Sequence, residues 1–373
     1  MLAAVTDAWR WSAITGITLG LVAFAALFIP ILVWQSLRFG RVRGVRTVAA
    51  GAAAVYGVTI LAYTLLPLPV PDWCLTNGNN EHYFRPFHSA GEIARAIDGL
   101  SAREALRSFT VLQVVMNVVL FVPWGAFWRR LFGRSIVFAG LSGVVASVLI
   151  EASQFTGLWS TYDCAYRVAD IDDVITNSLG AFIGALAAPL VLWWLPTTDA
   201  DIARRAEPRP VTRGRRVAGM AIDAFAFFGV WASVAMALLI VDRYELARPL
   251  RTEGGWKDQT LPGLIAFVVV VLLPATVGSG ASVGQRAMWL RPDPPLARSA
   301  RGAVRLLAGF GGYALLHVVA SVPSLPRGVQ WAITAATATM LVVAVASVMF
   351  DATARGVSFR LARSTPADAR DPA

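Results

Sequence analysis

Runs of apolar residues about as long as a bilayer is thick recur along this chain. They lie at roughly 12–37, 47–68, 111–131, 136–157, 172–195, 217–241, 261–279, 302–322 and 329–350. In hydrocarbon no water can satisfy backbone N–H and C=O groups, so a run of about 20 such residues is stable only as a helix that bonds to itself. The expected fold is therefore all-α, a polytopic integral membrane bundle of about nine transmembrane helices. Composition agrees, since 56% of the 373 residues are hydrophobic, only 15% are charged and the mean hydropathy is +0.59. Such values exclude an ordinary soluble domain. The first run is too long, and too poor in a small-residue cleavage site, to read as a removable signal peptide.

The formal charge of +10 does not point to nucleic acid. Lys257 is the only lysine, and the arginines gather in alternate short loops, after the first, third, fifth, seventh and ninth runs. Basic residues are retained on the cytoplasmic side of such loops, which predicts an N-terminus outside and a cytoplasmic C-terminus. Cys74 and Cys164, the only two cysteines, then both fall on the external side, where a disulfide between them is allowed. A charged, proline-bearing stretch divides the chain. The reading is a five-helix membrane domain over 1–195, a cytoplasmic linker over 196–216, a four-helix membrane domain over 217–350 and a disordered cytoplasmic tail over 351–373.

Polar residues inside these runs are costly and mark candidate sites. At about 100° per residue, Ser147, Glu151 and Gln154 lie within roughly 60° of one another on one helix. Asp170, Asp173, Asn177, Gly180 and Gly184 share a face on the next, and the glycines allow close helix contact. Helix direction brings Asn117 to the same depth, beneath a loop carrying Arg167 and Asp170. The expected site is thus Glu151 as a candidate catalytic base, with Asn117, Gln154, Arg167, Asp170, Asp173 and Asn177 as candidate ligand-binding residues. The carboxylates could hold a divalent cation through oxygen, Arg167 could pair with a lipid phosphate, and Glu151 could move a proton. No metal site is assigned, because no histidine is certain to reach the cluster; His88 would do so only if the long loop 69–110 folded over it. The sequence names no cofactor.

Asn117 to Gly125 with its Leu-Phe-Val-Pro-Trp-Gly, then Ser147-x-x-x-Glu151-x-x-Gln154, then Arg167-x-x-Asp170-x-Asp172-Asp173-x-x-x-Asn177-x-x-Gly180-x-x-x-Gly184, resemble the VanZ family of bacterial membrane proteins over about residues 50–195. The resemblance implies a bacterial plasma-membrane protein, multi-pass, linked to tolerance of teicoplanin-type glycopeptides. A second resemblance, to the RDD family, covers about 210–295 and rests on Arg216, Asp223 and the Gly280-to-Arg286 block. Three functions follow as expectations. The first is a protein binding a lipid-linked or anionic ligand in the outer leaflet, the second an enzyme modifying a lipid headgroup or lipid-linked wall precursor, and the third a proton-coupled transporter using Asp223. The expected partners are membrane lipids and a lipid-linked cell-wall precursor or glycopeptide, with no nucleic acid.

Overall fold

The computed structural model describes residues 2–70, 72–78, 82–243 and 256–372. Among them, seven helices are long and apolar enough to cross a membrane, eight if a pair bent at a short break is counted as one span. By contacts the chain forms two compact units, one of residues 1–28 and 43–203, the other of residues 29–42 and 204–373. The first helix, α1 (Leu2–Phe39), contributes to both.

In the first unit, α2 (Gly44–Leu65) is followed by a long loop that holds strand β1 (His82–Tyr83) and helix α3 (His88–Ile97). Three spanning helices come next, α4 (Phe109–Arg130), α5 (Ile136–Phe155) and α6 (Ile171–Val191), with β2 (Ala169–Asp170) just before α6. Each of the three starts on a capping side chain, since Ser108, Ser135 and Asp170 accept from the N–H groups of Val111, Phe138 and Asp172. These bonds satisfy donors that the first helical turn leaves without a partner.

Small residues then decide the packing. A β-carbon at Gly180 or Gly184 would overlap the carbonyl oxygen of Val118 or Val122 on α4, and one at Gly125 would overlap that of Ala181 on α6. The two backbones can approach this closely only because those side chains are absent, and van der Waals contact of this kind is what drives association in lipid. Ile60, Phe121, Ile150 and Ala181 form the core shared by α2, α4, α5 and α6. Pro123 lies inside α4 and deprives the Val119 carbonyl of its usual donor. One residue on, Tyr56 of α2 donates its hydroxyl to the Leu120 carbonyl at 2.6 Å, so the disturbed turn is held from outside.

At the opposite end of this unit Arg46 is almost fully buried and donates from Nε to Asp201 at 2.8 Å and from Nη2 to the Pro196 carbonyl at 2.9 Å. Asp201 belongs to a short helix, α7 (Thr198–Ala203). The segment expected to be a linker from 196 is therefore folded onto the first unit as far as Ala203.

The second unit comprises α8 (Arg213–Arg243), α9 (Trp256–Ala266), α10 (Val283–Ala287), β3 (Leu290–Asp293), α11 (Ala300–Leu307), α12 (Phe310–Ala320), α13 (Arg327–Met349), α14 (Gly356–Leu361) and β4 (Thr365–Asp368). Phe227, Phe267, Val270, Ala314 and Val318 form its main core. Two of the nine expected spans change character here. The stretch expected at 261–279 is a shorter apolar helix, Thr260–Thr276, that passes through π-helical geometry over Phe267–Leu272. The stretch expected at 302–322 breaks at Ala308–Gly309 into α11 and α12, bent by 60°. Hydropathy registers apolar length but not the angle between segments. Here Gly311 and Gly312 admit the Leu306 side chain and the Leu307 carbonyl, folding one half onto the other.

The tail also departs from expectation. Residues 351–372 are not disordered, because β4 pairs antiparallel with β3, Thr365 opposite Asp293 and Asp368 opposite Leu290. Asp368 is 1% exposed and accepts from Arg370 Nη2 at 2.6 Å, Arg370 Nε at 2.8 Å and Arg215 Nη2 at 2.8 Å. Burial works against its charge, yet these donors hold its pKa down to about 2. Polar composition alone suggested disorder, whereas these polar groups are matched to one another.

Candidate functional site

The ends of α2, α4, α5 and α6 that meet the long loop enclose the polar cluster. Asn117 of α4 donates from Nδ2 to Asp173 Oδ1 of α6 at 2.6 Å. Glu151, near the end of α5, accepts the Asp170 N–H at 2.9 Å. Ser147 and Asn177, both buried, are joined by a 2.9 Å bond from the amide to the hydroxyl. Gln154 donates to the Thr64 carbonyl at 2.9 Å, and Arg167 donates from Nη2 to the Leu66 carbonyl at 2.5 Å. Two polar stripes read from helical spacing thus face each other, and the close contacts of Gly140 and Gly143 on α5 with Phe182 and Ala181 on α6 set their separation.

A cavity of about 560 Å³ opens at this end. Its polar lining includes Asn117, Glu151, Gln154, Arg167, Asp173 and Asn177, and its apolar lining includes Ile60, Leu112, Met116, Leu120 and Phe121. Six of the seven expected site residues therefore share one space. The seventh, Asp170, is not part of the lining; it caps α6 and ties the loop to Glu151 through its own N–H. Burial raises the Asp170 pKa, with the bond from the Asp172 N–H and the neighbouring His88 pulling the other way. Burial likewise lowers that of Arg167, with Tyr166 and Tyr63 opposing it. The guanidinium nonetheless remains a cation at any physiological pH.

The loop does fold over the cluster, and Asp172 is the residue that holds it there. It is 5% exposed and accepts the Phe87 N–H at 2.6 Å and the Ser89 N–H at 2.8 Å. His88 sits between the two loop-side carboxylates, with Nε2 3.4 Å from Asp170 and Nδ1 3.1 Å from Asp172. Its ring stacks on Tyr83, with centroids 4.6 Å apart. Strand β1 pairs parallel with β2, and Cys74 and Cys164 are joined as a disulfide with their Cα atoms 5.6 Å apart. Three separate ties thus close the loop. Helical spacing alone does not mark Asp172 or His88 as site residues. Asp172 stood in the motif, but its partners are backbone N–H groups more than 80 residues away, and nothing in local spacing announces them.

His88, Asp170 and Asp172 each offer one donor atom within 4.8 Å of the others, a spacing a divalent cation could use. The Asp172 oxygens, however, already accept two backbone N–H groups. The trio is accounted for as a clasp on the loop.

The residues of the second resemblance lie in the second unit. Asp223 accepts from Ser282 Oγ and from the Gly284 N–H, each at 2.7 Å, and so anchors the start of α10. Arg286 donates to the carbonyls of Ala281, Pro274 and Val277, closing the turn between Thr276 and α10. Arg216 is buried against Phe359, the guanidinium carbon 4.4 Å from the ring centroid.

The apolar helices define a multi-pass membrane protein, and its first unit carries a polar cavity at one end. Residues 53–192, which include α4, α5, α6 and the second half of α2, match the model of the family described as VanZ/LLP1. No family match accompanies the RDD-like resemblance of the second unit. No curated protein and no solved structure matches the chain.

Proposed function

We propose that the VanZ-like unit binds an amphipathic, lipid-linked anionic ligand in the outer leaflet of a bacterial plasma membrane, and that this binding underlies tolerance of teicoplanin-type glycopeptides. The observation that carries the reading is the composition of the cavity. Apolar side chains of α2 and α4 offer a surface for a lipid chain, and Arg167 in the same lining supplies a cation for a phosphate. Asn117, Gln154 and Asn177 add amides that can bond to a polar headgroup. Lipid-linked wall precursors combine these two properties in one molecule.

A second reading, enzymatic modification of such a lipid, is favoured by one further observation. Glu151 and Asp173 line the same cavity as Arg167, and neither forms an ion pair with it among the described residues. A carboxylate held in a membrane segment without a cation is suited to accepting and returning a proton. The bonds of Asp223 to Ser282 and Gly284 account for that carboxylate as an anchor and leave proton-coupled transport without a supporting observation.

The test compares teicoplanin sensitivity and the lipid and wall-precursor profiles of cells making equal amounts of the intact protein, Glu151→Gln or Arg167→Ala. Binding predicts that Arg167→Ala restores sensitivity while no lipid is covalently changed. An altered lipid that disappears with Glu151→Gln establishes the enzyme instead. Cells carrying the intact protein that match empty cells in sensitivity and lipids refute both readings.

A further inference from the structure

The second unit buries two guanidinium groups beside one carboxylate. Arg216 of α8 is 4% exposed and Arg305 of α11 is 8% exposed. The two share the Phe359 ring of α14, their guanidinium carbons 4.4 and 5.5 Å from its centroid. They line a cavity of about 70 Å³ together with Asp223. Neither forms an ion pair with Asp223 among the described residues, and both oxygens of that carboxylate are bonded to Ser282 and Gly284. Arg305 donates to the Gly280 carbonyl and to Gln285 Oε1, but its Nε is buried with no hydrogen-bond partner. Arg216 donates from Nε to the Ala354 carbonyl at 3.3 Å.

A cationic side chain is rarely buried without a matching anion, because removal from water costs several kcal/mol per ion even after relaxation. Phe359 recovers part of that cost through its ring face. Asp223 is the one acidic residue in the lining among the described residues, so two guanidinium groups leave an excess of one positive charge there. A space of this size exceeds the roughly 10–15 Å³ needed by one water several times over. We propose that the cavity is a binding site for a small oxyanion of phosphate size, held by Arg216 and Arg305, whose guanidinium groups stack on Phe359, and closed over by α14 of the folded tail. Guanidinium groups suit this role because their planar donors match the edges of a tetrahedral oxyanion. The tail thereby acts as the cover of the site, since α14 supplies Gly356, Val357 and Ser358 to its lining.

The full-length protein, purified in neutral detergent free of phospholipid, would be titrated with inorganic phosphate. Ionic strength would be held constant with a bulky sulfonate salt, and thermal unfolding would be followed. The wild type should show a saturable rise in its midpoint. Arg305→Gln should weaken the apparent affinity at least tenfold. Ser358→Asp, which places a carboxylate in the cavity, should raise the midpoint without phosphate and abolish the response to it. This second variant decides the matter if Arg305→Gln fails to fold. A wild-type midpoint that does not respond saturably to phosphate overturns the proposal. So does a wild-type affinity retained by Ser358→Asp, or a saturable response given by phosphatidylglycerol but not by inorganic phosphate.

Discussion

Replacement of Asp368 by Asn removes one charge from the centre of the folded tail with almost no change in shape. The carboxylate accepts from Arg370 through both oxygens, from Arg215 Nη2 at 2.8 Å and from the Arg209 N–H at 3.2 Å. Its pKa, held at about 2 against an ordinary 3.8, measures how much the fold prefers the charged form. At 1.36 kcal/mol per unit the difference corresponds to about 2 kcal/mol at neutral pH. An amide would also turn an NH₂ group toward these donors, so the estimate is a lower one and the loss for a broken buried pair reaches about 3–5 kcal/mol. Opening of residues 351–372 should therefore become at least about 30-fold more frequent. Limited trypsin digestion of the detergent-solubilised protein reads this directly, because Arg355, Arg360 and Arg363 lie in the tail and cleavage follows the open population when reclosing is fast. A variant cut within twofold of the wild-type rate would refute the ion cluster as the tail's clasp. The sign with pH is determined as well. A depressed carboxylate pKa stabilises fully above the unfolded value near 4 and loses that contribution as pH falls through about 2. The fluorescence of Trp289, on which Arg370 stacks at 5.0 Å, should change over that window in the wild type and not in Asp368→Asn.

Gly184→Leu should force α6 off α4 at Val122, costing at least the 1–3 kcal/mol typical of overpacking, and size-exclusion thermal melts of the solubilised protein should show it unfolding at lower temperature. Asp172→Ala would strand the Phe87 and Ser89 N–H groups at about 1–3 kcal/mol, seen as faster hydrogen exchange over residues 87–97 with exchange in α8 unchanged. Reduction of the Cys74–Cys164 bridge, whose cysteines are 90 residues apart, should lower stability by up to about 4.6 kcal/mol on chain-entropy grounds. A reductant should then shift the melting of the wild type but not that of a Cys74→Ser, Cys164→Ser protein. Asn177→Leu leaves the Ser147 hydroxyl without its donor, and an average interhelical bond predicts a loss of only about 0.6 kcal/mol in stability; a much larger fall in teicoplanin tolerance at equal expression would mark Asn177 as a ligand-binding residue.

Apolar length and helical period determined most of the first unit in advance. Both are properties of a window of about 20 residues, and they suffice to place Ser147, Glu151 and Gln154 on one face and Asp173 and Asn177 on another. The glycines of the Gly180-x-x-x-Gly184 stripe signalled that the second face would meet a partner closely, and α4 is that partner. The same local signals failed where distant segments decide the outcome. Hydropathy ran through the break at Ala308–Gly309, because apolar content does not register a 60° bend. Low apolar content made the tail look disordered, although Asp368 finds Arg215 at a separation of 153 residues. His88 and Asp172 stayed outside the expected site because their meeting depends on a loop closed by a disulfide, a strand pair and two backbone N–H bonds. The periodicity of a helix is written in neighbouring residues. The partner of a buried charge is chosen by the whole fold, since only tertiary structure brings the two into the low-dielectric space where each needs the other.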